Sequence, residues 1–279
     1  MQPWIVALVL LAALLHAGWN AVVKLKAERL VVTAILNASA AAIALAAIPF
    51  LPLPQAESRP YLLASLVLQG GYFFFLLKAY GHGDLSHVYP IARGSAPLLV
   101  TALSAVVAGE VPSATGLAGI LIVTAAILSL ALRGGVPLRQ DPRPILYALA
   151  TGLFIASYTV VDGLGARRSG SPAAYIAWLF FLEGIGISAA CLIRYRSGTW
   201  ALALRLWKPG LLAGAMSLAA YGLVVWALTL APMGPVSALR ETGVVFAAVL
   251  GSALLKERFG AWRIAAALGV AVGIIVMET

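Results

Sequence analysis

Apolar runs of membrane-spanning length follow one another along nearly the whole chain, and no stretch between them is long enough for a soluble domain. Lipid offers no hydrogen-bond partner to an open backbone, so whatever crosses it must be helix or closed barrel. Barrel strands alternate apolar and polar residues. These runs are continuously apolar over about 17 to 24 residues, the length a helix needs to cross a bilayer core. Ten spans are predicted, at 3–23, 31–51, 61–80, 86–108, 115–132, 144–163, 172–194, 206–229, 234–254 and 261–277. The expected fold class is an all-α polytopic membrane protein.

Composition agrees. Of 279 residues, 62% are hydrophobic and 10% charged, where a soluble domain carries about a quarter charged residues. The first run lacks a basic flank and a small-residue cleavage site, and continues into His16-Ala17-Gly18-Trp19-Asn20. It reads as a retained helix rather than a secretory signal. The lone Cys191 excludes an internal disulfide.

The net charge of +9 invites a nucleic-acid reading, but its placement argues against one. Twelve cations fall in the odd-numbered loops, three in the even ones, and Lys78, Arg93, Arg240 and Arg263 within spans or at their edges. Loops rich in Lys and Arg stay in the cytoplasm, so both termini are expected outside, in a bacterial-type inner membrane.

The polar, Pro/Gly-rich stretch 133–143 divides the spans into five and five: a first repeat at 1–132, a cytoplasmic linker, and a second repeat at 144–279. An offset of 147 residues lays Arg93 on Arg240 and Glu110 on Glu257. Five spans per half turn the second half upside down relative to the first. Two inverted five-helix repeats with a site at their midplane interface are a transporter architecture.

The ends of the halves carry a family resemblance. Ala108-Gly109-Glu110 precedes Gly116, Gly119 and an apolar helix; Lys256-Glu257-Arg258 precedes Gly260, Gly269, Gly273 and another. In this the chain resembles the ten-helix EamA-type permeases of the drug/metabolite transporter superfamily, over essentially its whole length. The resemblance implies transport of small metabolites such as amino acids, often outward, with no nucleotide-binding domain. The Gly positions of the two fifth helices do not coincide in sequence.

Polar side chains inside spans are costly and must face protein or water, so each is a candidate. Arg93 and Arg240 lie about two turns into spans four and nine. Each offers a planar fork to an anion, or a salt bridge to Glu241 or Glu183. Glu183 is read as the one acid near a span centre, fit to carry a coupling proton or to pair with an arginine. His16 and Asn20 share a face with Trp19 beside them, as a cavity lining or a helix–helix contact. Tyr89 lies on the Arg93 stripe with Ser86, in a span broken by Pro90 and Pro97. Tyr158 and Tyr221 offer aromatic faces to an ammonium group. Glu110 and Glu257 are expected in the first turns of helices five and ten, where the dipole favours acids. No metal or cofactor is expected: the histidines are scattered, and neither a phosphate loop nor His-Glu-x-x-His occurs.

The resulting expectation is a secondary transporter, not an enzyme, for a small zwitterionic or anionic metabolite. Amino acids come first and aminophosphonates second. A lipid-linked sugar translocase or a structural membrane subunit is the rival from another class. The expected partners are the substrate and lipid, without nucleic acid; the sequence sets no direction, coupling ion or oligomeric state.

Overall fold

The computed structural model describes residues 1–24, 29–131, 141–194, 199–255 and 260–279, and among them it contains helices and no strand. The helices are α1 (Pro3–Lys24), α2 (Arg29–Ala47), α3 (Arg59–His82), α4 (Leu85–Ala108), α5 (Ala114–Ala131), α6 (Arg143–Arg167), α7 (Pro172–Arg194), α8 (Thr199–Leu230), α9 (Met233–Arg240), α10 (Gly243–Leu255) and α11 (Ala261–Glu278). Eight crossings are long and apolar enough to span a bilayer over their described residues; α7 adds a shorter apolar stretch, Pro172–Gly186. Glu257, the linker residues 133–140, and the side chains of Lys24, Ser86 and Cys191 lie outside the described residues.

Helix starts follow the local chemistry. Ser113 Oγ accepts from Gly116 N at 3.0 Å ahead of α5, and Ser171 Oγ from Ala174 N at 3.3 Å ahead of α7. Both satisfy first-turn donors that have no partner inside the helix. Pro49 ends α2 in a short 3-10 turn, Ile48–Phe50. At the end of α4, Gly109 adopts φ 68°, a left-handed conformation that suits glycine.

The sequence expectation of one ninth helix over 234–254 is corrected. That crossing is two helices, α9 and α10, interrupted at Glu241 and Thr242. Pro232 and Pro235 drew attention to the start of the span, yet the break comes later. Thr242 Oγ1 donates to Leu239 O at 2.8 Å, while Glu241 N and Thr242 N close tight turns onto Ala238 O and Leu239 O. A Thr hydroxyl competing for its own backbone bends helices, and these bonds keep the interrupted carbonyls satisfied at membrane depth. The expected eighth span, 206–229, is instead the 32-residue α8.

The halves are inverted in space. Helices α5 and α11 pack side by side. A Cβ on Gly119 would lie 2.5 Å from Gly273 O, one on Gly269 would lie 2.8 Å from Ala126 Cβ, and Trp262 Nε1 donates to Ser129 O at 2.9 Å. Residue numbers rise on one helix as they fall on the other, so the last helices of the two sets run antiparallel. Glycines that differ in sequence position thus meet across the pair, allowing close backbone approach without a hydrophobic driving force. The pairing of α3 with α6 is mirrored by α8 with α1. Met1 N and Glu278 Oε2 lie 2.6 Å apart, putting the two ends on one face, as an even number of crossings requires.

Candidate functional site

Where α4 meets α9, Arg93 Nη2 lies 2.9 Å from Glu241 Oε1, with both side chains buried. The partner is the acid beside Arg240, at the helix break. Pro97 has no N–H for the carbonyl of Arg93, four residues earlier, so α4 is weakened where it carries the cation. Arg93 Nε and Glu241 Oε2 have no hydrogen-bond partner. Each is a polar atom of a buried pair left open to a third group.

Arg240 takes a different environment. Among the described residues no carboxylate lies within ion-pair distance of it. Its guanidinium stands 5.1 Å over the Tyr221 ring of α8, with Tyr158 of α6 in electrostatic reach. Tyr158 packs edge-on against both Tyr221 and Tyr72 of α3, each 5.9 Å between centroids. Tyr89, one turn before Arg93, lies in the electrostatic range of that arginine. His16 of α1 lies in the electrostatic range of both arginines and beside the break, at Gly243. Arg93, Arg240, His16, Tyr89, Tyr158 and Tyr221 are thus brought to one place from α4, α9, α1, α6 and α8.

Asn20 does not join them in donating. Its Nδ2 bonds His16 O of its own helix at 2.7 Å, and Trp19 meets the His16 ring edge-on at 5.1 Å. The expected stripe is folded onto itself.

Glu183 pairs with neither arginine. The partner it has is Gln69 of α3, whose amide nitrogen reaches Glu183 Oε1 at 2.6 Å and Oε2 at 3.2 Å when oriented toward it. Nor is Glu183 the one acid inside the spans: Glu241 and Asp162 are both buried there. Sequence reasoning missed Asp162. Its Oδ2 accepts from Tyr221 at 2.6 Å and its Oδ1 from Tyr175 at 3.0 Å, with Ser65 of α3 close by. The signal was present: Asp162 lies four residues after Tyr158, on the same helix face.

Glu110 is also corrected. Helix α5 begins at Ala114, and the turn at Gly109 aims Glu110 elsewhere. Its carboxylate accepts from Met233 N at 2.7 Å, at the start of α9, and pairs with Arg167 Nη1 at 2.6 Å. Arg167 also donates to Leu228 O and Ala231 O at the end of α8. One ion pair thereby serves both a helix N-terminus and a helix C-terminus, in the sense their dipoles favour.

Residues 142–279 match the model of the EamA-like transporter family. The chain carries a domain of that family over those residues. It is therefore an integral membrane permease of the drug/metabolite transporter type, and the EamA-like proteins are transporters rather than enzymes. One of 27 matching chains of solved structures, a crystal structure, aligns over 98% of this chain and 94% of its own with a TM-score of 0.75 at 20% identity, which shows a shared fold. A comparison with curated proteins returns no match. Among the described residues no group of His, Cys, Asp and Glu is placed to hold a metal.

Proposed function

We propose that this permease moves a small zwitterionic metabolite, amino acids first, by alternating access, with residues 1–132 and 144–279 rocking against each other. The observation that carries the reading is the environment of Arg240: a buried guanidinium with no carboxylate partner among the described residues, held on the face of Tyr221. A carboxylate is the natural fourth side of that arrangement, because the guanidinium fork matches it with two parallel hydrogen bonds. Arg93 Nε, unpartnered, is the second donor. The substrate ammonium takes the rings of Tyr72, Tyr158 and Tyr221, and Glu183 carries the coupling proton. His16, Trp19, Asn20 and Tyr89 line the approach. The excess of cations in the odd loops supports both termini outside the inner membrane.

Proteoliposomes loaded with a panel of amino acids, and assayed for exchange of the labelled compound, test this reading. It expects exchange of at least one zwitterion and none of its methyl ester, which lacks the carboxylate. Equal exchange of acid and ester would overturn it.

A further inference from the structure

We propose that Ser65 and Gln69 of α3 relay the protonation state of Glu183 on α7 to Asp162 on α6. This deepens the coupling part of the transport reading and rests on it for its use, although the relay belongs to the resting fold. The three residues Ser65, Gln69 and Asp162 are buried, and Glu183 closes the row at its half-buried end.

The Gln69 amide has one accepting oxygen and a donating nitrogen. It contacts Ser65 Oγ at 3.1 Å on one side and the Glu183 carboxylate at 2.6 Å on the other. Its two ends can exchange places without moving a heavy atom elsewhere. When Glu183 is ionised it only accepts, so the amide nitrogen must face it. The amide oxygen then takes the single Ser65 proton, and Asp162 keeps only the phenols of Tyr175 and Tyr221. When Glu183 is protonated its O–H donates to the amide oxygen. The amide nitrogen then donates to Ser65 Oγ, and the Ser65 hydroxyl is free to turn toward Asp162, within whose reach it lies. The proton enters Glu183 from water and leaves by the same route. The amide turns over and the Ser65 hydroxyl rotates, and no bond other than that O–H is made or broken.

Each state satisfies every polar atom of the row except one Asp162 contact, and that contact is what Glu183 controls. Removing a hydroxyl from a buried carboxylate weakens it by more than a neutral bond is worth. Asp162 in turn holds Tyr221, on whose ring Arg240 stands. The charged and titratable groups facing the row are Tyr158 and Asp162 of α6, Tyr175 of α7, Tyr221 of α8 and Arg240 of α9. Residues 32–47 of α2, which also packs on α7, carry no titratable side chain.

Infrared spectroscopy of the protein in lipid nanodiscs tests the relay without any substrate, so its failure is distinct from failure of the transport reading. The chain has three aspartates, Asp84, Asp141 and Asp162. Asp84→Asn with Asp141→Asn leaves Asp162 alone to report in carboxyl-labelled aspartate. Glu183→Gln identifies the Glu183 carbonyl band. The expected result is an Asp162 carboxylate band that shifts in step with Glu183 protonation. In Ser65→Ala, and separately in Gln69→Leu, Glu183 still titrates but the Asp162 shift is lost. An Asp162 band that ignores Glu183 in the parent protein, or a shift retained in either folded variant, overturns the relay.

Discussion

Arg93 and Arg240 occupy equivalent positions in two inverted halves, and the protein has given them opposite surroundings. Arg93 sits in an unbroken helix that contains two prolines, and is neutralised by Glu241 from the other half. Arg240 ends a short helix with no acid partner among the described residues and rests on the face of Tyr221. The repeat offset places Gly94, not an acid, opposite Glu241. The image of the Arg93–Glu241 pair under that offset would set Arg240 against residue 94, and a glycine there offers it no acid. One cation has become a joint between halves; the other has been left with capacity for an anion. Prolines did not decide which crossing breaks. The break falls where Glu241 is committed to α4 and Thr242 turns back on its own backbone.

The comparison is most sharply strained at Glu241. Glu241→Gln leaves Arg93 buried and charged beside a neutral amide. The expected loss is about 3–5 kcal/mol, read as a lower unfolding temperature in lipid nanodiscs. Unchanged stability would mean that the pair is not a joint. The double change Arg93→Met with Glu241→Met removes both charges and keeps apolar volume. Most of that loss should be recovered, because the cost of a broken buried pair lies in the orphaned charge. A double variant as unstable as Glu241→Gln would place the cost in packing instead.

Arg240→Lys probes the other member. Charge is kept and the planar fork lost, so transport should fall about 10- to 100-fold by the weight of one bidentate contact. Stability should move by less than about 1 kcal/mol, the scale of a cation–aromatic contact. A collapse in stability comparable with Glu241→Gln would make the two arginines alike and erase the contrast. The smallest effect on transport is expected of Tyr221→Phe. It removes one donor from Asp162 while keeping the ring under Arg240, and costs about 1.5–3 kcal/mol if that bond to a charged group is intact. Transport per folded molecule should change less than in Arg240→Lys.

Much of the fold was legible because lipid imposes length and continuity on each span. The inversion was legible from the paired charges and the odd number of spans per half. The two arginines and the tyrosines stood out for the same reason: polar groups in apolar runs have few neighbours to hide among. The break in the ninth crossing was not legible, since it depends on what Glu241 meets on α4. Asp162 was passed over because it lies near a predicted span end, and Gln69 because an amide carries no charge to notice. Yet Gln69 is the one glutamine inside a span, and a buried amide with donor and acceptor ends is a feature to search for beside an intramembrane acid. Glu110 was assigned to the nearest helix in sequence, whereas the left-handed turn at Gly109 aims it at α9.

The central claim is that Arg240, not Arg93, is the cation kept free for substrate. Ligand-induced stabilisation tests it directly, by thermal unfolding of the parent protein and of Arg240→Lys against the amino acid that exchanges best. A ligand bound to the folded state alone at about 100 times its dissociation constant adds about 2.7 kcal/mol. The account expects that gain in the parent protein and only about 0.4–1.4 kcal/mol in Arg240→Lys at the same ligand concentration, as a site 10- to 100-fold weaker leaves, with the unliganded unfolding temperatures nearly equal. The same ligand-induced gain in Arg240→Lys as in the parent protein would contradict it.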